Sequence, residues 1–175
     1  MDTPELLEII SIRELHGVNE MLMAESLQKS VWASSTDFDH KDILIAIQHA
    51  GGLVAGAFTE AGSMVGFILA FPTRELHGLH SHRLAVMPEY RHHHIGEKLK
   101  WFQRDWGLEH GMEWIQWTYD PLLVINAYLN IHRLGAIASK YFENYYGVMD
   151  GINTGTPSDR ILAEWYLRSP RVLAC

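Results

Sequence analysis

The stretch Leu84-Ala85-Val86-Met87-Pro88-Glu89-Tyr90-Arg91-His92-His93-His94-Ile95-Gly96-Glu97-Lys98-Leu99 decides the fold. Its first three residues close an apolar run, and Pro88 stops it, because proline has no N–H to give a sheet ladder. From Ile95 the period changes. Ile95, Leu99, Phe102 and Trp106 recur at i, i+4, i+7 and i+11, while Glu97, Lys98, Lys100 and Arg104 lie elsewhere on the wheel. A strand, a turn and an amphipathic helix therefore follow one another, with Trp106 on the core side. The first N–H groups of such a helix have no intrahelical acceptor and lie at the positive end of its dipole. Gly96 lets an anion approach that backbone closely, and Arg91, His92, His93 and His94 add positive or protonatable groups beside it. The segment suits a phosphate. The alternative is an ordinary turn whose basic side chains are merely solvated.

The elements on either side extend the pattern. Residues 79–86 form the strand that enters the turn, and residues 53–59 and 64–71 are apolar runs parted by Glu60-Ala61-Gly62-Ser63, a hairpin signal. Residues 6–15 predict a first strand, 19–32 a helix, and 41–50 a second helix, with N-caps on offer over 34–39 and Gly51-Gly52 as its stop. Ile43, Leu44 and Ile47 fit the buried face of that second helix. Downstream, Gly111 follows the central helix and residues 114–119 read as a strand. Asp120-Pro121 pairs an N-cap with a proline at the first helical position, opening a helix that runs to about residue 134 and ends at Gly135. Strands at 138–146 and 161–167 enclose a polar loop, 147–160. The order β-α-α-β-β-β-α-β-α-β-β is that of one mixed α/β domain over residues 1–175, with no linker dividing it.

Composition sets the outer limits. Hydrophobic residues at 47% and charged residues at 20% are globular proportions and exclude a disordered chain. A net charge of −7 weighs against a broad electrostatic grip on nucleic acid. No apolar run approaches the roughly 20 residues that cross a bilayer, and the first residues lack the basic, then apolar, pattern of a signal peptide. The single cysteine, Cys175, forms no intrachain disulfide, which suits a reducing compartment. The expectation is a cytoplasmic protein with neither nucleic acid nor membrane as partner.

Val86-x-Pro88-x-Tyr90-Arg91-x-x-x-Ile95-Gly96-x-x-Leu99 resembles the signature of GNAT acetyltransferases. The resemblance implies an α/β (α+β) fold, a mixed, mostly antiparallel twisted sheet flanked by helices, with acetyl-coenzyme A as cosubstrate. It implies that Leu84, Ala85 and Val86 line the pantetheine arm, and that Arg91, His92, His93, His94, Ile95, Gly96, Glu97 and Lys98 surround the pyrophosphate. His94 departs from the family, standing at the first glycine of its loop. If that position needs a positive φ, a residue with a Cβ costs roughly 1–2 kcal/mol there. Many members of the family pair through their C-terminal strands, so a homodimer is a further expectation.

His80-Ser81-His82-Arg83-Leu84-Ala85-Val86 is similar to the strand of arylalkylamine N-acetyltransferases in which a His-x-His pair precedes Leu-Ala-Val. Residues two apart on a strand share a face, so His80 and His82 would relay a proton from the incoming ammonium, near their usual pKa of about 6.5. The alternative is a pair of histidines on the solvated face of a half-exposed strand. By the same family resemblance, a backbone N–H near Val86 would stabilise the oxyanion.

The following helix fits less well. The tyrosine that usually protonates the departing thiolate is replaced by Ile131, which leaves three options: Tyr128 one turn back substitutes, the thiolate leaves unassisted, or the protein binds acyl-coenzyme A without transferring the acyl group. Asn126 and Asn130, at i and i+4, would share a helix face and hydrogen-bond the pantetheine amides, or simply face solvent. Asp120 is sufficiently explained as a cap. Three consecutive histidines point in different directions and lack spaced partners, so no metal is expected. The 147–160 loop, with Asp150, Asn153, Asp159 and Arg160, is a candidate wall for the acceptor, or an ordinary polar hairpin loop. The reading is an acetyl-coenzyme A-dependent N-acetyltransferase acting on an amine by direct attack, and its rival a noncatalytic acyl-coenzyme A sensor.

Overall fold

The computed structural model describes residues 9–33, 38–147 and 158–175. Three expectations fall outside them: the start of the first strand at 6–8, the caps at 34–37, and most of the 147–160 loop, including Asp150 and Asn153. The elements run β1 (Ser11–Glu14), α1 (Gly17–Trp32), α2 (Lys41–His49), β2 (Leu53–Phe58), β3 (Met64–Pro72), β4 (Gly78–Val86), a 3-10 turn (Pro88–His93), α3 (Ile95–Glu109), β5 (Trp114–Tyr119), α4 (Val124–Ala127), a π-helix (Tyr128–Arg133), β6 (Ile137–Phe142), β7 (Arg160–Tyr166) and α5 (Pro170–Leu173).

The described strands form one seven-stranded sheet in the order β1-β2-β3-β4-β5-β7-β6. Every pairing is antiparallel except that of β4 with β5. The strands β2 and β3 are covered on both faces, which is why their sequences are continuous apolar runs and do not alternate. On one face Leu53, Ala55, Ala57 and Val65 pack with Ile95, Leu99 and Trp106 of α3. On the other, Val54, Phe58, Phe67 and Leu69 pack with Met21, Ala24 and Leu27 of α1 and Leu44 of α2. Gly66 lets α3 close on β3, since a Cβ there would stand 3.0 Å from both Ile95 and Leu99.

Three expectations are corrected. Ile43 is 52% exposed while Leu44 beside it is fully buried, so the nine-residue α2 buries a narrower stripe than its apolar content suggests. The helix after β5 does not begin at Pro121. Asp120 Oδ1 accepts from Leu122 N–H at 2.8 Å, capping a turn, and α4 starts only at Val124. After one α-helical turn the chain widens into the π-helix, closed by Leu134 N–H to Leu129 O at 3.0 Å. The indole of Trp165 on β7 donates to Leu134 O at 2.6 Å and holds that end against the sheet. The strand expected over 138–146 stops at Phe142, where Asn144 turns the chain at φ 47°. Among the described residues no helix is long and apolar enough to cross a membrane.

Candidate active site

A fork in the sheet organises the site. The strand β4 pairs with β3 along its length, but with β5 through three rungs: Gly78 with Trp114, Leu79 with Ile115, and His80 with Gln116. The cause of the divergence is a bulge. Register passes from Leu69–Arg83 to Ala70–Ser81, leaving His82 as the extra residue, and a bulge bends its strand and increases local twist. From His82 onward β4 leaves β5. Met87 N–H donates to Val65 O on the β3 side. The alternation of an antiparallel ladder therefore turns the backbone groups of Val86 and Leu84 the other way, into the fork. Leu84 and Val86 also present side chains to Gly96, where an added Cβ would meet them at 3.4 and 3.8 Å. Ala85, expected to line the same arm, turns its backbone groups toward β3 by that alternation, and its methyl is buried with Phe67 and Leu69.

At the open end of the fork the 3-10 turn delivers the chain to α3. His94, between them, has φ 58° and ψ 18°, the left-handed conformation that the family's glycine position implied. The first ladder bond of α3 runs from Lys98 N–H to His94 O at 3.0 Å, so the amides ahead of it stand at the helix mouth. Arg91 is exposed and its Nε donates to Val86 O at 3.4 Å. Lys98 is exposed, as are His93 and His94, while the side chain of His92 lies outside the described set. Glu97 carries a negative charge at this mouth, and Arg133 of the π-helix offsets it with an ion pair of 2.9 Å; His94 Nδ1 adds a contact at 3.4 Å. No local signal in residues 128–133 singles out Arg133 for this role.

At the vertex, His80 and His82 do share a face. Their ring centroids are 6.2 Å apart, with Phe71 at 5.1 Å from His80 and 5.6 Å from His82. His82 is exposed and His80 half-buried. Burial, then the charges of His82 and Lys100, lower the His80 pKa from 6.5 to about 4, which keeps its imidazole neutral at neutral pH. On the same face Tyr146 and Thr118 of β5 share a hydrogen bond of 3.3 Å, and the Arg160 guanidinium lies over the Tyr146 ring. The two ends of the 147–160 loop thus meet beside β5.

Val86 is not beside the histidines. At about 3.3 Å per residue, four positions of β4 separate it from His82 by roughly 13 Å, too far for one reacting carbon to touch both. Leu84, whose amide also faces the fork, is about half as far. Asn126 is half-buried and Asn130 buried, but the π-helix breaks the α-helical period that was to align them. Tyr128 is 55% exposed and rests on His132 at 4.9 Å, turned outward. Sequence reasoning missed a polar cluster beneath the vertex. Lys100 Nζ of α3 donates to Ser81 Oγ at 2.7 Å and to Gln103 Oε1 at 3.3 Å, and lies 3.7 Å from the centroid of the Trp117 ring. The available signal was Gln103, a polar residue between Leu99 and Trp106 on the apolar stripe of α3.

A profile described as the acetyltransferase (GNAT) family matches residues 16–128. Solved structures share the fold at low identity. The ribosomal-protein-S18-alanine N-acetyltransferase from Escherichia coli is 18% identical, with a TM-score of 0.72 over 91% of this chain and 94% of that one. The protein yncA from Salmonella typhimurium, solved with its cofactor acetyl-CoA, is 16% identical with a TM-score of 0.73 over 92% and 95%. The IAA acetyltransferase from Bacillus cereus is 16% identical with a TM-score of 0.68 over 90% and 99%. No curated protein matches the chain by sequence.

Proposed function

The chain belongs to the acetyltransferase (GNAT) family, and from that premise we propose that it transfers the acetyl group of acetyl-coenzyme A to an amine by direct attack. The observation that carries this reading is the fork, in which β4, having parted from β5 after three rungs, leads from a helix mouth suited to phosphate to two histidines at the vertex. The residues present fit the coenzyme. Leu84 and Val86 offer backbone groups to a pantetheine arm. The amides at the start of α3, with Gly96, Arg91 and Lys98, offer donors and positive charge to a pyrophosphate. Arg133 reduces the repulsion that Glu97 would exert there.

At the vertex, the exposed His82 takes the proton of the incoming ammonium, and the neutral His80, within reach of a bridging water, orients it. The Leu84 N–H, nearer than Val86 to the histidines, is the donor for the developing oxyanion. Phe71 and Tyr146 give the acceptor side an aromatic lining, with Thr118 as a polar contact. One observation favours a second reading, a noncatalytic acyl-coenzyme A sensor: Ile131 stands at the family's acid position and Tyr128 faces outward.

Two measurements test the proposal. A saturable thermal shift should appear with acetyl-coenzyme A and exceed that with ADP; a ligand at a hundred times its dissociation constant adds about 2.7 kcal/mol. Release of coenzyme A should then depend on amine across a panel of primary amines. Binding without amine-dependent release would establish the sensor, and no shift would reject the coenzyme site itself.

A further inference from the structure

Among the described residues Lys100 is the one charged side chain in the buried interior. A buried ammonium is costly unless its donors are satisfied, and an apolar residue of similar volume is often the more stable filler. Its three neighbours, Ser81 Oγ, Gln103 Oε1 and the face of Trp117, are all neutral. Packing alone does not call for a positive charge here.

The location does. Ser81 is the residue of β4 just past the last rung with β5, and Trp117 is the residue of β5 just past the same rung. The Lys100 amine therefore touches both strands at the first rung they fail to make, at the apex of the fork. It also lies on the side of the sheet covered by α3 and the π-helix that carries Ile131. The histidines occupy the opposite side. An amine entering from the histidine side and a sulfur leaving toward Lys100 would occupy opposite faces of one acyl group.

We propose that Lys100 is the general acid of the transfer, its ammonium hydrogen-bonding the thioester sulfur from beneath the fork. The proposal rests on the coenzyme reading above. In the step, the acceptor nitrogen, whose first proton has passed from the exposed His82 to solvent, forms a bond to the carbonyl carbon and gives its second proton to His82. The carbon–sulfur bond breaks, its electron pair stays on sulfur, and the sulfur takes a proton from Lys100 Nζ. The neutral amine then accepts a hydrogen bond from the Ser81 hydroxyl until solvent reprotonates it after the thiol departs. Burial pushes the Lys100 pKa well below its usual 10.5. A lowered pKa makes the ammonium a readier proton donor to the departing sulfur. The groups facing Nζ are Ser81, Gln103 and Trp117, and His80 is the nearby titratable group whose pKa the Lys100 charge lowers.

The test follows the thiol and needs no acceptor. Coenzyme A and desulfo-coenzyme A are bound to the whole protein, and the thiolate absorbance of bound coenzyme A is followed against pH. The thiol should ionise at least a unit lower than in free coenzyme A, roughly tenfold in the thiolate-to-thiol ratio. Lys100→Met should abolish that shift while leaving desulfo-coenzyme A affinity unchanged. A bound thiol that titrates as it does free, or a variant that weakens both ligands equally, overturns the assignment. If Lys100→Met does not fold, the wild-type titration decides alone. Failure of the wild type to bind either ligand overturns the coenzyme reading first, and with it this one.

Discussion

His94 shows what a single dihedral can cost. At φ 58° its Cβ crowds the following carbonyl, a strain of roughly 1–2 kcal/mol that glycine does not feel. The side chain recovers little, since it is 72% exposed and its Glu97 contact is long at 3.4 Å. Glycine also frees the unfolded chain, an entropic cost of about 0.5–1 kcal/mol. His94→Gly should therefore stabilise by about 0.5–1 kcal/mol and raise Tm by a few degrees. A lower Tm would mean that the imidazole holds the turn. His80 gives a pH signature. Its folded pKa of about 4 lies below the ordinary 6.5, so between those values the unfolded chain binds the extra proton. The stability it contributes is present above 6.5 and is lost as pH falls toward 4. Melting curves of His80→Phe should fall less steeply than wild type across that window. Parallel curves would show that His80 titrates as it does in the unfolded chain.

At the scale of elements, the turn into α3 was legible because each of its signals is local: proline, glycine and a change of period. The π-helix was not. Val124 to Arg133 carries no proline or glycine to announce a wider turn. Its geometry is held by tertiary bonds, Trp165 to Leu134 O and Arg171 to Ile131 O and Gly135 O, that join positions distant in sequence. The fork was equally hidden, because a bulge at His82 is a property of two strands in register. The Lys100 cluster joins α3, β4 and β5, and no single-element periodicity reveals it. What the π-helix supplies to the site is Arg133, set against Glu97 at the mouth of α3. Arg133→Ala leaves that carboxylate unopposed where the pyrophosphate is proposed to sit. Coenzyme A affinity should fall roughly three- to tenfold at low salt, and the loss should shrink as salt screens the repulsion. Isothermal titration at two ionic strengths checks it. A salt-independent loss would point to a displaced helix, and no loss would place the pyrophosphate elsewhere.

Across the whole molecule the sheet is unevenly covered. The helices α1, α2 and α3 bury β2 and β3 on both faces, while β6 at the far edge has every residue from Ile137 to Tyr141 exposed. Ile137 is 48% and Tyr141 52% exposed, with Tyr145 and Tyr146 nearby also open. Among the described residues no strand pairs with the outer side of β6, and such an edge with apolar side chains on it is a template for another strand. The bulge between Ala138 and Lys140, and the lysine itself, blunt the edge against indiscriminate growth without covering its apolar side chains. A two-fold pairing of β6 with its copy is self-complementary and closes after two subunits, so it hides the edge without propagating. We therefore expect a homodimer joined along β6. Sedimentation equilibrium should give a concentration-dependent dimer mass for the wild type, and Ile137→Glu should shift it to monomer. Acetyl-coenzyme A binding should survive that change, because the fork lies two strands away, across β7 and β5. A wild-type monomer at all concentrations would reject the edge as an interface, and loss of coenzyme binding on dissociation would show that the second copy helps to shape the fork.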